Sequence, residues 1–137
     1  MTGCRVRPAA PSAIVLAAVA LAFLSGCVLA AAGAGAGGAI YLTSRGAESI
    51  VDASVPEVAD AVTDVFADLG IRTTGTTTEQ GGDEREVRGK KEDLDVTVHF
   101  ERESPSTTKV EVTARENVAE WDRDYAKRVL ERIVEAS

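Results

Sequence analysis

Histidine is almost missing from this chain: His99 is the only one. Cys4 and Cys27 are its only two cysteines. A transition-metal centre of imidazole and thiolate ligands therefore has no donor set. Aromatic residues are sparse, with three Phe, two Tyr and one Trp to line any pocket. Gly-x-Ser-x-Gly, HExxH and GK(S/T) do not occur, so the chain shows no nucleophile elbow, zinc-protease helix or phosphate loop. No acidic residue precedes Glu48, and no charge of either sign lies between Pro8 and Ser44.

The first 47 residues carry a different kind of information. Met1 to Pro8 holds Arg5 and Arg7 and no acid, and Ala9 to Phe23 is uncharged and apolar. Small residues and a cysteine follow, the order of a secretory signal. Leu24-Ser25-Gly26-Cys27 resembles the bacterial lipobox, Leu-(Ala/Ser/Thr)-(Gly/Ala)-Cys, at all four positions. That resemblance implies a diacylglyceryl thioether on the Cys27 thiol, with palmitate-type acylation of its amine after cleavage behind Gly26. Ser25 and Gly26 fit the signal peptidase because they are small, and Leu24 fills its apolar pocket. An ordinary signal peptide with a chance cysteine, or an uncut membrane anchor, is the alternative. One lipid chain holds a protein only marginally, and two or more hold it stably. Val28 stands where Asp would favour inner-membrane retention in enterobacteria-like sorting, which points to the outer membrane in a Gram-negative envelope.

Residues 27–38 then form a lipidated cysteine and a Gly/Ala tether, running through Gly33-Ala34-Gly35-Ala36-Gly37-Gly38. Glycine at this density disfavours helix by about 1 kcal/mol per residue and suits a flexible linker. Gly33 and Gly37 also make a GxxxG, the spacing that lets membrane helices approach closely. Val28 to Leu42 is shorter than the roughly 20 residues a membrane span needs.

Cleavage removes residues 1–26 and leaves about 110, enough for one small domain over 39–137. Arg5 and Arg7 leave with the signal, so 13 basic residues face 22 acidic ones, a net charge of −9. That balance repels nucleic acid and anionic headgroups, and nucleic acid is not expected as a partner. With Cys4 removed and Cys27 acylated, the domain has no disulfide and must be held by packing.

Ala39–Thr43 and Ala47–Ala53 read as extended, one strand with Gly46 as a kink or bulge. Ser54-Val55-Pro56-Glu57 is a helix start with a capping box and a first-turn proline. Val55, Val58, Ala59, Val62, Val65, Phe66 and Leu69 recur every three or four residues, and Gly70 ends the helix. Asp60, Asp64 and Asp68 share another face, read as solvated and alternatively as a cation or partner surface. From Ile71 the period becomes two. Strands are expected at Ile71–Thr78 and Glu84–Lys91, with turns at Gln80–Asp83 and Lys90–Asp93. Leu94, Val96, Val98 and Phe100 alternate with polar residues, as do Val110, Val112 and Ala114. Asn117–Trp121 leads into a helix from Asp122 to about Ala136 with one apolar stripe. Trp121 is expected to pack at that helix entrance, with a Trp–Tyr binding platform as the alternative.

The order β-α-β-β-β-β-α predicts an α+β fold. It is a two-layer sandwich, an antiparallel sheet of about four to five strands with both helices on one face. The other face is predicted open and polar, carrying Thr97, His99, Glu101, Lys109, Glu111 and Thr113. His99 is the one residue there with acid–base or metal-ligand capacity, and no catalytic residue, metal site or cofactor is predicted.

The chain resembles a family of small bacterial lipoproteins catalogued as a domain of unknown function (number 3568). The resemblance rests on the lipobox, the Gly/Ala run ending in Ala39-Ile40-Tyr41, Ser54-Val55-Pro56-Glu57-Val58 and Ala67-Asp68-Leu69-Gly70-Ile71. It also covers the strand pair and the terminal helix. It implies a localisation and a fold but no activity. The expectation is a non-enzymatic lipoprotein held to the cell envelope by lipid on Cys27, facing the periplasm or the exterior. Its domain would bind or scaffold an envelope protein. The alternative is an envelope domain that binds a lipid or another small hydrophobic ligand.

Overall fold

The computed structural model describes residues 38–137. Within them, strands β1 (Tyr41–Leu42) and β2 (Gly46–Val51) precede helix α1 (Val55–Leu69). Strands β3 (Arg72–Glu79), β4 (Glu84–Lys91), β5 (Leu94–Ser104) and β6 (Thr107–Arg115) follow, and helix α2 (Arg123–Ala136) closes the chain. All strand pairs are antiparallel, in the order β1-β2-β6-β5-β4-β3.

The sheet thus has six strands, not four to five. The single strand expected across Ala39–Ala53 is a hairpin. Thr43 donates its N–H to the Gly46 carbonyl at 2.9 Å, and its Oγ1 accepts from Gly46 N at 3.0 Å. The side chain completes a turn that the composition does not announce. Gly46 is no kink: it opens β2, where a Cβ would lie 1.9 Å from the Val112 carbonyl oxygen. Only glycine lets β2 approach β6 so closely.

Helix α1 begins as its sequence predicts. The Glu57 carboxylate accepts from Ser54 N at 2.8 Å and Ser54 Oγ at 2.6 Å. Those bonds hold the Glu57 carboxyl below the ordinary glutamate range, the Ser54 hydroxyl contributing most. Gly70 ends the helix with φ +67°, a left-handed conformation that favours glycine. In α2, Asp122 Oδ1 accepts from Tyr125 N at 2.8 Å.

Alternation along the strands sends Ala47 and Val51, Val110 and Val112, Val96, Val98 and Phe100, and Val87 into one core. Val58, Val62, Phe66, Val129, Leu130 and Ile133 of the helices meet them there. Each fully buried Val, Leu, Ile or Phe contributes roughly 1.5–3 kcal/mol. Helix α1 carries the chain from β2 to β3, the far edge of the sheet, and the next three strands walk back until β6 pairs with β2. Buried Thr108 of β6 locks that closure by donating Oγ1 to the Ala53 carbonyl at 2.7 Å, across 55 residues of sequence. Gly89 of β4 is a second close approach: a Cβ there would sit 2.7 Å from the Phe66 ring and 2.5 Å from Ile71 Cγ2.

Candidate functional site

The register assembles the face away from the helices. Glu48, Glu111, His99, Glu86 and Thr77 form one cross-strand row. Ile50, Lys109, Glu101, Glu84 and Glu79 form the next. The predicted open face is thus made of the residues expected on it. Thr97, His99, Glu101, Lys109, Glu111 and Thr113 are all half-buried among their neighbours.

His99 lies directly opposite Glu86 and Glu111. Its ring partner is the diagonal neighbour Glu84, with Nε2 and Oε1 2.8 Å apart. Gln80 Nε2 donates to the other Glu84 oxygen at 2.5 Å. It reaches back because Gln80, Gly81 and Gly82 all have positive φ and fold the β3–β4 connection tightly. The His99 bond, then the Gln80 bond, hold the Glu84 carboxyl below the ordinary glutamate range. Arg88 pairs with Glu86 on the same face. Together Thr77, Glu79, Glu84, Arg85, Glu86, Arg88 and His99 line a recess of about 180 Å³. The sequence named His99 and left out Glu84 and Gln80. A carboxylate–imidazole pair can relay a proton or hydrogen-bond a partner side chain. Among the described residues His99 hydrogen-bonds no hydroxyl that it could activate as a nucleophile. No group of three or more His, Cys, Asp or Glu side chains is placed to hold a metal ion among them.

The acidic ladder of α1 stays on the solvated side, with Asp60, Asp64 and Asp68 exposed and Asp68 facing Arg132 at 3.7 Å. Trp121 does sit at the entrance to α2, half-buried and bridged to Arg115. The guanidinium carbons of Arg45 and Arg115 each lie 5.8 Å from its ring centre. Tyr125 has its own cations, Lys91 at 5.8 Å and Arg128 at 5.3 Å. These contacts contribute about 0.5–1 kcal/mol each where exposed.

The model of a family described as "Protein of unknown function (DUF3568)" matches residues 12–135. The chain belongs to that family. No curated protein matches it. The DUF3568 match starts inside the apolar N-terminal run and ends at residue 135, so it takes in both Leu24–Cys27 and the sheet-and-helix domain. The expected lipobox residues Leu24, Ser25, Gly26 and Cys27, and the expected tether to Gly37, lie outside the described residues. No helix among the described residues is long and apolar enough to cross a membrane.

Proposed function

We propose that this DUF3568 protein is a lipid-anchored cell-envelope lipoprotein. It is cut behind Gly26, acylated on Cys27, and carries a non-enzymatic domain that binds or scaffolds protein. The observation that carries the reading is the order of the N-terminus. Two arginines, a charge-free apolar run and Leu24-Ser25-Gly26-Cys27 come eleven residues before Gly38. Two or more acyl chains on Cys27 hold a small acidic domain at a bilayer that its net charge would otherwise avoid.

Where the chain enters the sheet supports the same picture. Tyr41, Leu42 and Ile50 are exposed by 62%, 55% and 52%, and all three belong to the β1–β2 hairpin that the tether feeds. They are three of the four large apolar side chains exposed among the described residues, so the apolar surface gathers at the tethered edge. The polar face and the β3 edge remain available for protein contacts, in keeping with a binding role.

Metabolic labelling with an alkyne fatty acid tests the anchor. Wild type is expected to carry label and fractionate with membranes, and Cys27→Ser to lose the label. An unlabelled wild type sinks the lipoprotein reading and leaves the charge-free run as an uncut anchor.

A further inference from the structure

The two edges of the sheet are built differently. At one edge β1 is two residues long. At the other, β3 runs for eight residues, Arg72-Thr73-Thr74-Gly75-Thr76-Thr77-Thr78-Glu79, and every one of them is exposed. Among the described residues no helix or loop buries it. Long exposed edges are usually guarded by proline, by lysine in mid-strand or by a cover. β3 has no proline and no lysine, and its charges stand only at its two ends.

Those charges have a register. Opposite β4, Thr74 is an extra residue between Thr73 and Gly75, leaving seven paired positions. By their partners, Arg72, Gly75, Thr77 and Glu79 share the open face, and Thr73, Thr76 and Thr78 share the helix face. Two such strands laid antiparallel about Thr76 match face to face. Thr76 meets Thr76, Thr73 meets Thr78, Gly75 meets Thr77, and Arg72 meets Glu79 at both ends. Neither Arg72 nor Glu79 has an ion-pair partner among the described residues.

We propose that β3 pairs with β3 of a second copy of this chain, antiparallel about a two-fold axis at Thr76, joining two six-stranded sheets into one. The pairing goes beyond the anchoring reading; its geometry does not rest on that reading, but its occupancy does, and fatty-acid labelling of Cys27 reports the anchor separately. It closes after two copies, because a two-fold pairing uses the β3 edge of both chains; among the described residues the opposite edge carries the two-residue β1. The contact is narrow beside a standard interface, so the dimer is weak in dilute solution, and confinement to one membrane raises its occupancy.

The test uses the full-length chain in its native membranes under mild oxidation. Thr76→Cys places two thiols across the axis with Cα atoms about 4.5–5.5 Å apart, within reach of a disulfide. Thr78→Cys exposes a thiol on the same face, but its copies stand about 14 Å apart in this register, from the strand rise and spacing. The expected result is a disulfide dimer with Thr76→Cys and none above background with Thr78→Cys. The parent chain sets that background, so any dimer through an unacylated Cys27 is scored apart and speaks only to the anchor. Adding Arg72→Glu to Thr76→Cys puts like charges opposite each other twice, and roughly a tenfold loss of dimer is expected. Adding Glu79→Arg to that pair restores it. Equal cross-linking at positions 76 and 78, or no rescue by the double charge reversal, overturns the proposal.

Discussion

Gly89→Ala is the sharpest test of how the helices sit on the sheet. The new Cβ would lie 2.5 Å from Ile71 Cγ2 and 2.7 Å from Phe66 Cε2. Both neighbours are held in the core, Phe66 at 1% and Ile71 at 4% exposure, so neither can swing into solvent. Overpacking of this kind costs about 1–3 kcal/mol. Replacing a strand glycine returns roughly 0.5–1 kcal/mol by restricting the unfolded chain. The net expectation is a loss of about 1–2 kcal/mol, or a Tm lower by roughly 5–15 °C for a domain near 100 residues. Gly75→Ala is the control, because nothing lies within 4 Å of a Cβ there, and that variant should be neutral or slightly more stable. Urea melts of both, with unchanged m-values, measure the difference. A double-mutant cycle with Phe66→Leu, which removes the clashing ring edge, should show coupling of at least about 0.5 kcal/mol. If Gly89→Ala melts with Gly75→Ala, the close seat of Phe66 on β4 is wrong, and the path of α1 across the sheet with it.

Thr108→Val keeps the shape but removes the donor to the Ala53 carbonyl, and should cost about 1–3 kcal/mol because that oxygen stays buried without a partner. Chemical denaturation reads it, and Thr108→Ser should recover most of the loss. The Glu84 carboxyl titrates below the ordinary glutamate range because His99 and Gln80 bond its ionised form, and His99→Ala should move it back up, as followed by carboxyl NMR. A depressed carboxylate stabilises the fold above the ordinary glutamate range, and that stability is lost as pH falls through its folded value. His99→Ala should therefore flatten the acid side of the stability profile, and an unchanged profile would break the pairing.

The parts of the fold that repeat were legible in the sequence. Helix α1 was readable because its apolar spacing, its Ser54–Glu57 start and its Gly70 stop all agree. Strands β5 and β6 were readable because strict alternation has only one meaning at a half-wet sheet. The β1–β2 hairpin was not, since two residues are too few to carry a period and its turn rests on the Thr43 hydroxyl. Gly89 gave no local signal either. Its reason is Phe66, which reaches it only after α1 has crossed the sheet. On the open face, composition pointed to His99, but its partner depends on register. Strand β4 runs to Lys91 and pairs it with Leu94, leaving Glu92 and Asp93 as the turn. That two-residue turn forces His99 opposite Glu86 and brings Glu84 to its diagonal. A turn drawn over Lys90–Asp93 leaves that pairing unresolved. Leu24–Cys27 is the reverse case: its reading as a lipobox comes from the sequence alone, because a processing motif is a recognition sequence and not a fold.

The topology also decides how anchoring and edge pairing fit together. The described chain enters the sheet at β1, and β3 is the opposite edge. Five inter-strand spacings put the two edges roughly 24 Å apart. A dimer through β3 therefore carries its tethers at the two outer edges, roughly 53 Å apart at the same spacing. A two-fold axis normal to the sheet leaves both helix layers on the same side, so both hairpins can face one bilayer. The eleven residues from Cys27 to Gly38 reach at most about 40 Å each when extended. If Cys27 is acylated as proposed, two such anchors would reach one membrane without straining the proposed pair. Shortening the tether makes this quantitative. Deleting Gly33 to Gly37 leaves six residues from Cys27 to Gly38, a reach of about 20 Å. If the dimer lies flat with its tethered edges toward the lipid, the Thr76→Cys cross-link survives that deletion. If it stands off the membrane on long tethers, the cross-link falls while fatty-acid labelling of Cys27 stays.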